Sequence, residues 1–452
     1  MIEFLPLGGA GEIGANCYYL NINGIGIILD CGMHPQKTGL DSLPKFELLE
    51  NKPTDYVLIT HAHQDHLNAL PFLIKKFPHL KIITTPQTRA IAELTLSHAI
   101  SILKRQVDTN EFEIYSREEV DLLIKSINYK SYNEKFTLNS LTSSSEIEAE
   151  FYDAGHIIGS AGIFLNSGTK KIFFSGDINL SSQTLLPGAK LPSEKIDILI
   201  TETTYGATDS STINNWDDEV ERISKSITGT INNNGSVLIP VFALGKLQEM
   251  LSTIWLQMIQ NKITSVDIYT AGIGNKISRI YDYNRYVVER NQKELVLAEI
   301  PQKNLNELND FAELFKFPCI VLASSGMMIE STNSFMLAKS WLQKKDSAIF
   351  TVGYMDPLTP GSAIAKSSKG DTIQLTGKDE QVQVKCEIKN FRFSAHSKRE
   401  ELVSIVKKLS PENIILVHGE KEAINWMGAS ILKQSPKRKV FAAENFKQII
   451  FD

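Results

Sequence analysis

The segment Tyr56-Val57-Leu58-Ile59-Thr60-His61-Ala62-His63-Gln64-Asp65-His66 decides how the rest of the chain is read. Its first four residues form an unbroken apolar run, the pattern of a short strand buried on both faces. The strand then runs out into three imidazoles and a carboxylate, the donors that a divalent zinc ion takes. Crowding of this kind suggests more than one ion, because His61 and His63 can turn one way while Asp65 and His66 turn another. The bland alternative is a solvated loop that happens to be rich in histidine. The chain has only 9 histidines in 452 residues, and three of them fall here, which weighs against that alternative.

Working outward, the same arrangement recurs. Asp30 ends Ile27-Ile28-Leu29, and His156 follows Phe151-Tyr152-Asp153-Ala154-Gly155. Asp177 follows Ile172-Phe173-Phe174-Ser175-Gly176, Glu202 ends Ile198-Leu199-Ile200-Thr201, and His418 ends Ile414-Ile415-Leu416-Val417. His396 stands in Phe393-Ser394-Ala395-His396-Ser397. One polar strand end means little, since many simply reach water. Its repetition is what a site along one edge of a sheet layer produces. The ligand arithmetic then gives two ions. His61, His63 and His156 supply one, Asp65, His66 and His418 the other, and Asp177 has the two oxygens needed to bridge them. Asp30 suits a supporting role, orienting a ligand histidine. Two ions about 3.5–4 Å apart lower the pKa of a shared water and neutralise charge growing on the attacked group.

Composition narrows the class. A formal charge of −5 gives no global signal for a polyanion, so any such surface must be local. The four cysteines, Cys17, Cys31, Cys319 and Cys386, are scattered with no CxxC pair, which fits a reducing compartment and a site without thiolates. No run approaches ~18 apolar residues and no leader pattern precedes Ile2-Glu3-Phe4-Leu5, so the expectation is a cytoplasmic chain with no membrane partner. Up to about residue 206 short strands dominate, with interspersed helices. From there strand and helix alternate, the rhythm of an α/β domain with a parallel sheet. The last stretch returns to the earlier style. One domain interrupted by another is the reading, with segments 1–206 and 381–452 forming the host and 207–380 the insertion.

The motifs resemble a known family. HAHQDH at 61–66, Ala154-Gly155-His156, Ser175-Gly176-Asp177 and the early Asp30 resemble the metallo-β-lactamase superfamily. TETTYG at 201–206, LIPVFALGKLQEML at 238–251, SSGMMIEST at 324–332, FSAHS at 393–397 and LVHGE at 416–420 resemble the β-CASP nucleases within it. The resemblance runs over nearly the whole chain. It implies an α/β protein: a metallo-β-lactamase αββα sandwich with an inserted β-CASP α/β domain, a parallel sheet flanked by helices. It also implies two Zn2+ and a ribonuclease, endo or 5′-exo, in which a metal-bridging hydroxide attacks phosphorus and leaves a 5′-phosphate and a 3′-hydroxyl. By the same resemblance Asp65, Glu202 and His396 are catalytic, His396 protonating the leaving oxygen while Glu202 keeps it charged and oriented.

In this family a histidine at the position of His418 goes with RNA, and the DNA nucleases carry valine. Single-stranded RNA is therefore the expected partner, and a homodimer is left open. A DNA-directed or dual nuclease is the second reading. A small-molecule metallohydrolase is the third, and it would need neither the insertion nor the His396–Glu202 pair. Lys246, where the family often has arginine, is a candidate contact to the RNA backbone. Ser324 and Ser325 end a strand where a helix is expected to open at Met328, which would offer backbone amides to a phosphate. His34 is read as a loop residue near the site and not a ligand. Gly8-Gly9-Ala10-Gly11 is read as a turn near the metal site and not a dinucleotide loop.

Overall fold

In a computed structural model, which describes residues 1–106, 114–140, 144–377 and 379–451, the chain divides into two compact units. The first comprises residues 1–182, 187–210 and 395–452; the second comprises 183–186 and 211–394.

The first unit is built on two seven-stranded sheets. One runs in the order Ile449–Phe451, Ile2–Gly8, Cys17–Ile22, Ile25–Leu29, Tyr56–Leu58, Lys81–Thr84, Asn128–Tyr129. The other runs Lys439–Ala442, Asn413–Val417, Ile198–Glu202, Lys171–Phe174, Ala161–Asn166, Glu146–Asp153, Phe136–Asn139. Alternate residues of both sheets share one core: Phe4, Leu20, Leu29 and Leu58 pack with Phe151, Ile163, Phe174, Ile200 and Val417. The intervening residues face the other way and are buried too. On the second sheet Phe173, Leu199, Ile414 and Leu416 are covered by Leu402, Ile405, Ile424 and Met427 from the helices Arg399–Leu409 and Lys421–Gln434. Burial on both faces explains why these strands read as continuous apolar runs. Among the described residues no helix is long and apolar enough to cross a membrane.

Register decides where the chemistry falls. Ile25–Leu29, Tyr56–Leu58 and Lys81–Thr84 are parallel. So are Lys171–Phe174, Ile198–Glu202 and Asn413–Val417, with Phe174 beside Ile200 and Ile200 beside Ile415. Parallel neighbours end at the same edge. The residues that follow them, Asp30 and His61 from one sheet and Asp177, Glu202 and His418 from the other, are therefore delivered at strand carboxyl ends, where open α/β sheets bind ligands.

The inserted unit holds a six-stranded, wholly parallel sheet in the order Lys303–Asn304, Asp267–Thr270, Cys319–Ala323, Val237–Pro240, Ala348–Thr351, Glu387–Asn390. Among its helices are Trp216–Asn232, Lys246–Ile259, Ile273–Tyr283 and Asn333–Trp341. Three sequence expectations shift here. The return to the host falls at Ala395, later than the compositional change at 381, because Glu387–Asn390 pairs with Ala348–Thr351 and completes the inserted sheet. Val384 to Ile388 reads in sequence as one strand, but the strand is Glu387–Asn390, and Val382–Gln383 before it forms a separate ribbon with Thr372–Ile373. The helix expected at Met328 opens instead at Asn333, where the Thr332 hydroxyl accepts the Phe335 amide as N-cap.

Candidate metal centre

The sequence delivers its candidate ligands as neighbours within the first unit. His61, His63, His156 and Asp177 form one group whose ligand atoms lie within 4.8 Å of one another; Asp65, His66 and His418 form a second; Asp177, Glu202 and His418 form a third. Asp177 thus belongs to two groups at once, as a bridging carboxylate would.

Three of the rings are aimed by a partner on the far nitrogen. His66 Nδ1 lies 2.8 Å from Asp30 Oδ2, His156 Nδ1 lies 2.7 Å from the Ala395 carbonyl, and His61 Nδ1 lies 3.0 Å from the Thr60 hydroxyl. In each case the N–H is committed behind the ring, so the Nε2 lone pair faces the cluster. The Thr60 hydroxyl donates to Asp30, at 2.9 and 2.8 Å from its two oxygens, and the Thr60 amide donates to Oδ1 at 2.7 Å. One buried carboxylate therefore fixes His66 directly and His61 through Thr60. Asp30 and His418 both sit at positive φ, 60° and 47°, a conformation that costs a non-glycine residue about 1 kcal/mol or more. Backbone bonds hold both there: Asp30 N donates to Leu58 O and His418 N to Gly9 O. Gly32 lets the Asp65–His66 turn come close, since a Cβ there would stand 1.7 Å from Asp65 O.

The electrostatics ask for cations. His63 Nδ1 lies 3.0 Å from His61 Nε2 and 3.1 Å from His156 Nε2, so three lone-pair atoms converge. No sharing of protons among three aimed rings satisfies that contact as well as a metal ion does. Burial holds the His61 and His156 rings well below the ordinary histidine range. Burial would lower His66 and His418 as well, but Asp177, Asp65 and Asp30 push His66 up, and Asp177 and Asp65 push His418 up to about 10. The carboxylates thus draw positive charge to that side. His418 Nε2 and Asp177 Oδ1 are buried without a hydrogen-bond partner, although His418 Nδ1 approaches Asp177 Oδ1 to 2.9 Å as an ion-pair contact. Buried polar atoms left over in this way are unusual in a purely structural cluster. The donor set fits two divalent cations.

Beside the cluster stands His396. Its Nδ1 lies 3.1 and 3.2 Å from the two oxygens of Glu202, and its Nε2 lies 4.0 Å from Asp177 Oδ2. Glu202 is itself fixed, accepting Ile178 N at 2.8 Å and Thr204 N at 3.3 Å. Burial lowers the His396 ring, and Glu202 with Asp177 more than reverses this, so its pKa is raised. The ring is about a fifth exposed while Glu202 is buried, which leaves the imidazole reachable and its carboxylate partner sealed.

Other expected residues fall elsewhere. Lys246, expected as a contact to the RNA backbone, is buried in the inserted unit, where its ammonium donates to the Phe393 carbonyl and lies over the Trp216 ring. That corrects the phosphate-contact reading, since an ammonium held on a carbonyl in the interior is not presented to a ligand. Ser324 and Ser325 also lie in the inserted unit. The Ser325 hydroxyl accepts the Ile329 amide, and the carbonyls of Ser324 and Ser325 accept from Ser334, so they brace a turn and no helix N-terminus points from them. His34 is buried with Nε2 3.5 Å from Glu12, apart from the ligand groups. Thr60, the Ala395 carbonyl and Asn16, which lies 3.0 Å from His66 Nε2, were not legible as site residues, being uncharged or main chain.

Fold and site together have the form of a metallo-β-lactamase domain with an inserted α/β unit, and comparison with known proteins agrees. A metallo-beta-lactamase superfamily domain matches residues 19–204, a Beta-Casp domain 247–364, and a Zn-dependent metallo-hydrolase RNA specificity domain 381–443. An RNase J-like protein of Methanocaldococcus jannaschii is 32% identical over 92% of this chain and 91% of its own. The endoribonuclease ysh-1 of Neurospora crassa is 27% identical over 99% of this chain, which spans 56% of that protein's length. A crystal structure of a protein of unknown function from Enterococcus faecalis shares the fold with a TM-score of 0.58 at 12% identity, covering 100% of both chains. The chain belongs to the β-CASP family of the metallo-β-lactamase superfamily.

Proposed function

We propose that the protein is a zinc-dependent ribonuclease that hydrolyses phosphodiester bonds and leaves a 5′-phosphate and a 3′-hydroxyl. The observation that carries this reading is the His396–Glu202 pair set beside the His/Asp cluster. A small activated ester can lose its leaving group unaided. A nucleotide 3′ oxygen leaves as a strongly basic alkoxide, and a positioned acid lowers that barrier by about 10²–10⁴ in rate.

One ion would be held by His61, His63, His156 and Asp177, the other by Asp65, His66, His418 and Asp177. When bound, the pair supplies activated water and neutralises charge on the phosphoryl group. The protein does the rest. Asp30 and Thr60 keep the His66 and His61 rings in the tautomers that face the cations. Glu202 holds His396 Nδ1–H, so the transferable proton rides on Nε2, the atom turned toward Asp177. As the water oxygen bonds to phosphorus and the P–O3′ bond breaks, that proton passes to the departing oxygen. Asp65 Oδ2 lies 3.4 Å from His418 Nε2, close enough for both to face the same cation.

RNA is favoured over DNA by His418 and by the names of the relatives and of the domain matched at 381–443. The test incubates zinc-loaded protein with single-stranded RNA, labelled internally and at the 5′ end, and with DNA of the same sequence. The expected result is cleavage of RNA alone, abolished by a chelator and restored by zinc, with products that a ligase accepts as 5′-phosphates. Equal turnover of DNA would overturn the RNA assignment, and turnover that survives chelation would overturn the metal mechanism.

A further inference from the structure

The glycine-rich turn that follows the first strand does more than change direction. Gly9 O accepts the His418 amide at 2.9 Å, and Glu12 O accepts the Gly419 amide at 3.1 Å. At the far end of the turn the Asn16 amide donates to Asp65 O and Asn16 O accepts Gly32 N, both at 2.9 Å. The segment from Gly9 to Asn16 therefore lies along the Asp65–His66–His418 group and not along the His61–His63–His156 group.

Asn16 is fully buried, and its carboxamide is aimed. Oδ1 lies 2.7 Å from the Tyr18 hydroxyl, itself fully buried and 2.9 Å from Gly9 O. Nδ2 lies 3.0 Å from His66 Nε2 and 3.4 Å from Asp65 Oδ2. Gly9 is needed for this: it sits at φ 78°, and a Cβ there would meet Asn16 Oδ1 at 2.5 Å and the Tyr18 hydroxyl at 2.6 Å. A glycine in the turn, a phenol and an amide thus form a relay that ends on the ligand atoms of a single cation site.

We propose that Asn16, held by Tyr18, is a positioning residue for the cation site made by Asp65, His66 and His418. This rests on the two-cation reading of the cluster. His66 Nδ1 is already committed to Asp30, so Nε2 is the ring's ligand atom. With that lone pair given to a cation, the Asn16 N–H has one acceptor left, Asp65 Oδ2. A hydrogen bond to a ligating carboxylate fixes its orientation and limits its freedom to swing away. Loss of such outer partners weakens metal binding by about 10–100-fold. Asn16 binds no cation itself, and its amide contacts Asp65 and His66, so its effect is expected on one of two ions.

The test measures metal binding, independently of RNA cleavage. Zinc affinity of wild type, Asn16→Ala and Tyr18→Phe is read by competition with a chromophoric chelator. Cobalt(II) absorption reports each site's geometry, and thermal unfolding is recorded for the metal-free proteins. Wild type is expected to bind two ions. Asn16→Ala is expected to keep the first and hold the second about 10–100-fold more weakly, with an altered cobalt spectrum, and Tyr18→Phe to fall between them. Two ions held by Asn16→Ala as tightly as by wild type would overturn the inference. So would equal weakening of both sites, or a loss that follows the unfolding of the metal-free chain. A wild type that binds no ion pair would instead overturn the reading of the cluster itself, so the two failures are distinguishable.

Discussion

Several buried charges in the inserted unit end on main chain, although Glu219 pairs with the Arg222 and Asn214 side chains. Lys246 donates to Phe393 O, Glu249 accepts the amides of Leu185 and Leu186 at 2.8 and 3.2 Å, and Asp282 accepts those of Leu297 and Ala298 at 2.8 and 3.0 Å. In the first unit the buried charge around Asp177 ends on other side chains: His418 at 2.9 Å, His66 at 3.4 Å and His61 at 3.7 Å. The difference separates two uses of an expensive feature. A charge saturated by peptide groups holds a loop in place and has nothing left to offer a ligand. Charges that face one another with unspent lone pairs keep their valence for something the chain itself does not contain.

The largest effect that would break this comparison lies at His396. Its replacement by alanine removes the proposed proton donor and none of the proposed ligands. The expected outcome is a fall in kcat of about 10²–10⁴-fold with zinc content and thermal midpoint unchanged. If His396 were a packing residue, activity would fall only as far as the folded fraction does. Single-turnover cleavage alongside zinc analysis separates the two.

Glu249→Ala tests the other region. It strips two buried amides of their acceptor, at about 1–3 kcal/mol each, and leaves Lys246 without its carboxylate. Burial pushes the Glu249 carboxyl up and the Lys246 ammonium down, and each draws the other back toward its charged form. The expected outcome is a loss of about 3 kcal/mol in urea unfolding, with kcat per folded chain unchanged. A large drop in kcat for fully folded Glu249→Ala would mean that saturated charge here does catalytic work, and the distinction would fail.

The same distinction explains what the sequence could disclose. His61, Asp177, Glu202 and His418 were legible because each interrupts or ends a run of apolar residues with a group that a core rejects. The register of parallel strands then makes such ends neighbours, so position along the chain translates into position in the site. Lys246 misled for a matching reason: a cation at the start of a helix looks solvated, and nothing local announces that Trp216 and Phe393 enclose it. Asn16 and Thr60 are neutral, and their work depends on Tyr18 and Asp30 being nearby in space, which no pattern of spacing encodes. The host's return at Ala395 was hidden because Glu387–Asn390 reads like any other short strand; only its pairing with Ala348–Thr351 assigns it to the insertion. The N-cap at Thr332 could have been found from its side-chain type alone.

The smallest effect sharpens the comparison from an intermediate case. Glu12 is half-buried in the turn that backs His418, and its partners are side chains: Lys37 Nζ at 2.9 Å, Asn445 Nδ2 at 2.7 Å and His34 Nε2 at 3.5 Å. Burial raises its carboxyl, but the bonds from His34, Lys37 and Asn445 prevail and take it down to about 2. Asn445 also accepts the Ala10 amide, so the carboxylate latches both sides of the turn to the C-terminal segment. A carboxyl whose pKa is depressed on folding stabilises the protein above its unfolded value of 4.5, and this stabilisation drains away as pH falls toward about 2. Glu12→Gln in the metal-free protein should therefore unfold a few degrees lower than wild type at about pH 6, with the gap closing as pH approaches about 2. Zinc binding by the variant should change far less than in Asn16→Ala, because the Glu12 carboxylate is spent on its own donors and faces no ligand atom. A gap that stays constant with pH would mean the latch works by shape and not by charge, and would move Glu12 to the structural side of the division.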